Sequence, residues 1–309
     1  MTKPALVALL AAVAAIVGAA RAGGASAQEM TRLAVSYSTT ADFTPAFIAK
    51  DAGIFAKHGL DVTLENLATT SLGPPALQAG SLQIASTSPP LLLLANDGGM
   101  DLVAVAGVAA LDAKAPNSAL VTRPGFIAKT AQDFIGKRIA RPGINSAIDI
   151  LLKKWLLDRH VALDQVTFAE TPFPQMGDLL RAGRIDAAVE LEPLLTRVVA
   201  SGAGIKSIDF ISEVNPHIVA SIYGASREWA TAHVAAVHEF RAALGDAMRF
   251  AHDNPDRATE IQHKYLGAAG RLPGPSQAVT PADFDFWIAT LNQLKMLQQP
   301  ATPATLVFP

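Results

Sequence analysis

Two stretches of this chain read as one phrase written twice: LQAGSLQIASTSPP at residues 77–90 and LRAGRIDAAVELEP at residues 180–193. In each, a short amphipathic turn runs into a glycine, Gly80 or Gly183. Glycine takes the left-handed conformation cheaply and so stops a helix. A short apolar run comes directly after it, Leu82 to Ala85 and Ile185 to Val189. Such a run, starting at a helix stop, reads as a buried strand of a parallel sheet. Residues just past the strand lie at its carboxyl end, where open α/β sheets bind ligands. The repeat therefore predicts two similar lobes that deliver polar groups to one binding edge. The first contributes Ser86-Thr87-Ser88 and the second Glu190-Leu191-Glu192.

The rest of the chain carries the same alternation. Arg32 to Tyr37, Asp61 to Glu65 and Leu102 to Ala106 read as strands, with helices over Phe43 to Ala52, 74–79 and Pro90 to Asn96 between them. A β-α-β-α order implies a mostly parallel sheet with helices on both faces. Small and turn residues, Ala109 to Asn117, precede a strand at Ser118 to Thr122, and a second α/β series begins at Asp133. Its helix, Ala147 to His160, places Ile148, Leu151, Leu152, Trp155 and Leu156 on one face. Strands at Gln165 to Ala169 and Lys206 to Ile211 complete the series. His217 to Ala225 is one more strand, and helical patterning runs from Arg227 onward. A lobe, a crossing strand, a second lobe and a returning strand make a hinged two-lobe α/β architecture. The expected boundaries are 28–119 plus 222–309 for lobe 1 and 120–221 for lobe 2.

The N-terminus reads as an export signal. Lys3 supplies a positive start, Ala5 to Ala20 an apolar core, and Ala25-Ser26-Ala27 an A-x-A site, so residues 1–27 are expected to be cleaved before Gln28. The apolar run is short for a membrane anchor. With no cysteine in the chain, disulfides, thiolate metal sites, cysteine nucleophiles and a lipid-attachment cysteine are all excluded. A net charge of −2 supplies no basic field for nucleic acid. These features together predict a soluble periplasmic protein. No metal-ligand spacing, phosphate-binding loop, nucleophile elbow or dinucleotide fingerprint is present, so no cofactor and no catalytic activity are expected.

Four motifs occur in a familiar order: PAFIAKDAGIFAKHGLDV, GPPALQAGSLQIASTSPP, IGKRIARPGINSAIDILLKKWL and LRAGRIDAAVELEP. Together they resemble the nitrate/sulfonate/taurine and thiamine-pyrimidine precursor type of solute-binding protein of ABC importers, over residues 32 to 265. The resemblance implies a type II periplasmic-binding-protein fold, two α/β lobes joined by a hinge with the ligand cleft between them. It also implies capture of a small solute by lobe closure, and delivery to a membrane permease and, through it, to an ATPase. A monomer is expected. Two positions depart from the pattern. Gln83 stands where an aspartate is usual, kept at Asp186, and Leu191 stands where a tryptophan commonly precedes Glu192-Pro193. The missing tryptophan removes a stacking platform.

Candidate site residues come from the ends of strands and the starts of helices. Ser71 and Gly73, ahead of Pro74-Pro75, open one helix, and Asn145, Ser146 and Ala147 open another. Helix N-termini suit an anion or a carbonyl, each end carrying about half a charge. Arg141 could add a full one. Glu190 and Glu192 are two residues apart in a strand and so are expected to point the same way. Glu190 could accept hydrogen bonds from an amine or amidine, and Glu192 is a second candidate for the ligand, its alternative being a cap or solvated residue at a helix start. Thr40, Phe43, Thr44, Phe47, Ser86, Ser88, Asn117, Phe173 and His217 are candidate walls by their positions after strands or at crossings. The expected ligand is accordingly a sulfonate, an aromatic carboxylate or a pyrimidine-like base. The alternatives are an exported sensor that hands a signal to a membrane receptor, and a thiamine-pyrimidine synthase-like enzyme. The export signal and the missing cysteines weigh against the enzyme.

Overall fold

A computed structural model describes residues 30–270, 272 and 278–309. The expected signal peptide at 1–27 lies outside the described residues. Ten strands are present among them: β1 (Thr31–Tyr37), β2 (Leu60–Asn66), β3 (Ala85–Thr87), β4 (Leu102–Asp112), β5 (Ser118–Thr122), β6 (Arg138–Arg141), β7 (Thr167–Glu170), β8 (Ala187–Leu191), β9 (Ile205–Ile208) and β10 (His217–Ser226). β1 pairs with β2, and β3, β10 and β4 form a second sheet. A bridge between Val35 and Ile84 joins these two. The remaining strands form one sheet in the order β7-β6-β8-β5-β9.

The sheets are more mixed than the sequence predicts. β1 with β2, and β6 with β7 and β8, are parallel, as helical crossovers require. β10 runs antiparallel to β3 and β4, and β5 antiparallel to β8 and β9. β4 also continues past Ala106 to Asp112, because β10 offers it partners as far as His217. Residues 109–112, small and turn-like in sequence, are thus ladder residues.

The repeated phrase does fold twice into the same local structure. Gly80 and Gly183 sit at φ 69° and 65°, the left-handed stop. Gln83 N donates to Ala34 O at 3.1 Å while Gln83 Oε1 accepts from Ala34 N at 2.8 Å. Asp186 N donates to Arg138 O at 2.8 Å while Asp186 Oδ2 accepts from Arg138 N at 2.9 Å. The glutamine that departs from the motif makes the same reciprocal pair as the aspartate that keeps it.

Packing holds both sheet groups. The Ala147–Asp158 helix buries Ile150, Leu151, Leu152, Trp155 and Leu156. The Trp155 ring meets Phe134 and Phe210, and its Nε1 donates to Glu213 at 2.9 Å. Around β1 and β2 a second cluster joins Leu33, Val35, Phe47 and Phe55 to Phe240 of the long Val234–Asp253 helix. Burial of each such side chain is worth about 1.5–3 kcal/mol.

Candidate binding site

The carboxyl ends of β1, β3, β4 and β8 and the middle of β10 surround a cavity of about 520 Å³, counting its open mouth. Ser38 and Thr40 reach it from the turn after β1, Thr87 and Ser88 from the end of β3, and Ser221 from β10. Thr70 and Ser146 bring the hydroxyls on the wall to seven. Phe43, Leu111, Ile148, Phe173 and Leu191 supply apolar surface. This mix of apolar surface and a few polar groups suits a small organic molecule.

Four of these hydroxyls are buried and have no hydrogen-bond partner among the described residues: Ser38 Oγ, Thr70 Oγ1, Thr87 Oγ1 and Ser88 Oγ. Buried polar atoms are nearly always satisfied, so four orphans on one wall need an explanation. Ser88 stands at the N-cap of the Pro89–Asp97 helix without a side-chain cap bond, and Pro90, second in the helix, has no N–H to offer it. Ser146 behaves otherwise: it caps the Ala147–Asp158 helix and accepts from Asp149 N.

Among the described residues, Asp42 is the one titratable side chain on the wall. It is buried, and burial pushes its carboxyl up to about 6. Arg141 is turned away from this role. It is buried, pairs with Asp149 at 2.5 Å and lies over the Phe168 ring.

Of the residues singled out from sequence, the wall brings together Thr40, Phe43, Ser88, Ser146, Ala147 and Phe173. The others lie off it. Thr44 Oγ1 donates to Ala41 O and accepts from Gln262, and Phe47 packs between Tyr37 and Tyr265. Ser86 and Ser36 share a hydroxyl contact at 3.2 Å. Ser71 donates to Glu170 instead of facing inward, and Gly73 backs onto Ser86 O. Asn145 takes a left-handed φ of 61° while its N–H donates to Asp149. Asn117 contributes its carbonyl to Glu192 N. His217, half exposed, pairs with Asp112 at 3.5 Å.

The two glutamates correct the sequence reading. β8 ends at Leu191, so Glu192 lies in the turn after it and does not share a strand face with Glu190. Its carboxylate caps Thr196, accepting from Thr196 N and Oγ1. Leu191, next along the strand, takes the wall position. Glu190 is off the wall and fully buried. Neither of its carboxyl oxygens has a partner among the described residues, and burial pushes it up to about 8.

The polar wall residues that sequence reasoning overlooks are Ser38, Asp42, Thr70 and Ser221. Asp42 and Thr70 each neighbour a residue it does select, Phe43 and Ser71. Among the described residues, no group of three or more His, Cys, Asp or Glu side chains could hold a metal ion.

The two sheet groups touch across the cavity mouth. Glu170 Oε1 accepts from Ser71 Oγ at 2.6 Å and from Ile144 N at 3.1 Å. Ala41 N donates to Glu192 O at 3.2 Å.

Known proteins share this sequence and this fold. The model of the family described as "NMT1/THI5 like" matches residues 40–258. A Brucella abortus (strain 2308) protein named "Putative binding protein" is 27% identical over 220 residues, 71% of this chain and 66% of its own length. The chain thus spans just under two thirds of the curated relatives it matches. The alkanesulfonate-binding protein SsuA of Xanthomonas axonopodis pv. citri, solved bound to MOPS, superposes with a TM-score of 0.78 at 17% identity, covering 91% of this chain and 99% of that one. The periplasmic nitrate-binding protein NrtA of Synechocystis PCC 6803 gives 0.72 at 13% identity, covering 89% and 84%. The chain has the periplasmic-binding-protein fold of these structures.

Proposed function

The chain belongs to the NMT1/THI5-like family, and from that premise we propose that it is the solute-binding component of an ABC importer. It captures a small organic solute in the cavity, by closure of a lobe built on β1–β4 and β10 over a lobe built on β5–β9. It then presents that solute to a membrane permease driven by its ATPase. The chain works in the periplasm as a monomer, after removal of residues 1–27.

One observation carries this reading: four buried hydroxyls without partners among the described residues line one cavity between the two sheet groups. Such a wall is completed by a guest that supplies the missing hydrogen bonds. Binding suits the wall better than turnover does. Acid–base chemistry on two groups needs a second titratable partner, and Asp42 has none on the wall.

The test is to express the whole chain with its own N-terminus and recover it from the periplasm. Native mass spectrometry then identifies any solute that leaves with the protein. Protein stripped by unfolding and refolding is next taken through thermal shifts with alkyl sulfonates, aromatic carboxylates, nitrate and aminopyrimidines. A ligand at about 100 times its Kd adds roughly 2.7 kcal/mol of stability. Retention in the cytoplasm, or protein that neither carries nor is stabilised by any solute, defeats the proposal.

A further inference from the structure

The class of solute is set by the charge of the wall, an inference that rests on the receptor reading above. Among the described residues, no lysine, arginine or histidine lines the cavity. Arg141 is committed to Asp149, which also takes Lys153 at 2.8 Å. Two helices begin at the wall, and each has part of its first-turn N–H set missing or already used. The helix after Ser88 has proline at its first two positions and so lacks two N–H donors. In the helix starting at Ala147 the N–H of Asp149 is already donated to Ser146 Oγ.

Facing these hydroxyls is Asp42, a buried carboxyl with no cation and no hydrogen-bond donor paired to it among the described residues. Its side chain also lines a smaller space of about 180 Å³, where the buried hydroxyl of Tyr223 is likewise without a partner. Burial pushes the Asp42 carboxyl up to about 6, and no partner among the described residues offsets that loss of water. An unpaired buried anion repels a second anion and is relieved by a cation.

We propose that the cavity receives a small organic cation, an amine whose protonated nitrogen pairs with Asp42. Its hydrogen-bonding edge meets the unpartnered hydroxyls of Ser38, Thr70, Thr87 and Ser88, and its apolar body lies against Phe43 and Phe173. Sulfonates, carboxylates and inorganic anions are then excluded by the same carboxyl that selects the amine.

Four probes of one shape separate charge from fit: benzylamine, benzyl alcohol, benzoate and benzenesulfonate. Each is titrated at neutral pH into the whole protein and its Asp42→Asn variant, by calorimetry and thermal shift. The expected result is binding of benzylamine at least about tenfold tighter than the alcohol, with no binding of either anion. Asp42→Asn should bring the amine down to the level of the alcohol. That variant relieves a buried charge, so it should fold and melt no lower than the parent, and circular dichroism checks this. Amine affinity unchanged by Asp42→Asn, an anion bound as tightly as the amine, or no binding of any probe overturns the assignment. The receptor reading is judged separately: an acidic solute recovered with the periplasmic protein would leave it standing while the charge assignment falls.

Discussion

Ser71 Oγ donates to Glu170 Oε1 at 2.6 Å, tying the turn after β2 to the end of β7. Ile144 N shares the same acceptor oxygen. This three-residue knot spans the two sheet groups beside the cavity, so under the proposed lobe closure it is expected in the closed form and absent from an open one. Ser71→Ala removes one hydrogen bond to a charged acceptor at an exposed site. Solute release should quicken about threefold to tenfold, with association little changed. Stopped-flow measurement with any solute that stabilises the chain decides it, and an unaltered release rate would mean that the knot does no latching.

Gly143 gives an independent reading of closure. A Cβ built on it stands 2.6 Å from Thr70 Oγ1 and 3.4 Å from Ser71 N. In Gly143→Ala either the Thr70 hydroxyl turns away or the rim parts, and both remove a wall contact. Affinity should fall about tenfold. The melting temperature of the solute-free protein should stay within a few degrees, because no core packing changes. A variant that melts far lower, or binds as before, would contradict this.

Glu190 should behave as a buried group that costs stability when charged. Its carboxyl is pushed up to about 8 by burial, with no partner to offset the loss of water. Between the ordinary carboxylate range and that value the folded chain holds a proton that the unfolded chain has released. Stability from this site is therefore greatest at acid pH and drains away as pH rises toward 8. Glu190→Gln should be more stable than the parent above pH 8, by about 5 kcal/mol for a rise from 4.5 to about 8 at roughly 1.36 kcal/mol per unit. Near pH 5 the two should unfold alike. Urea titrations at both pH values test it, and a Gln variant weaker than the parent at high pH would point to an unseen cation.

His58 bridges two carboxylates of the Val234–Asp253 helix, Nδ1 to Glu239 at 2.6 Å and Nε2 to Asp246 at 3.0 Å. The hydrogen bonds to Glu239 and then Asp246 raise its pKa. The stabilisation is fully present below the unfolded imidazole pKa of about 6.5 and is lost as pH rises through the raised folded value. From the acid side, Asp246 is held below the usual carboxylate range by His58, so its share is lost as pH falls through that lowered value. His58→Ala should cost about 1 kcal/mol near pH 6, the carboxylates being partly exposed, and almost nothing at pH 9. A pH-independent cost would assign the effect to packing.

How much of this is readable in the residues depends on the range of the interaction that decides each one. Gly80 and Gly183 end helices by their own backbone freedom, and the Ala147–Asp158 helix shows its buried face in its spacing. Both are local, and both are visible in sequence. Antiparallel pairing of β5 and β10, and the ladder at Ala109 to Asp112, depend on which distant strand comes alongside. Alanine- and aspartate-rich residues cannot announce that. At the site, Thr40, Phe43, Ser88, Ser146 and Ala147 are visible because strand ends and helix starts place them. Asp42 is hidden because nothing local tells a buried carboxyl from a solvated turn residue. Glu190 misleads for a related reason: its position after an apolar run marks the correct edge of the sheet, but the wall is reached by Leu191 instead.

The repeated phrase itself yields the sharpest comparison. Gln83 and Asp186 each exchange two hydrogen bonds with one residue of the neighbouring segment, Ala34 and Arg138. Removing the side chain in Gln83→Ala or Asp186→Ala leaves a backbone N–H without its acceptor. Either should cost about 1–3 kcal/mol at neutral pH. Their pH dependence should differ. Burial alone would raise the Asp186 carboxyl, but the Arg138 amide and the Arg123 guanidinium outweigh it and hold the group below its usual range. Its contribution is present above the unfolded carboxylate pKa and is lost as pH falls through the lowered folded value. The cost of Asp186→Ala should therefore shrink in acid, where the parent has already lost the bond in its charged form. The Gln83 amide does not titrate, so the cost of Gln83→Ala should hold steady over the same range. Parallel urea titrations of both variants from neutral to acid pH would show two diverging lines. Parallel lines would mean that the carboxylate at Asp186 acts only by shape, as the glutamine does.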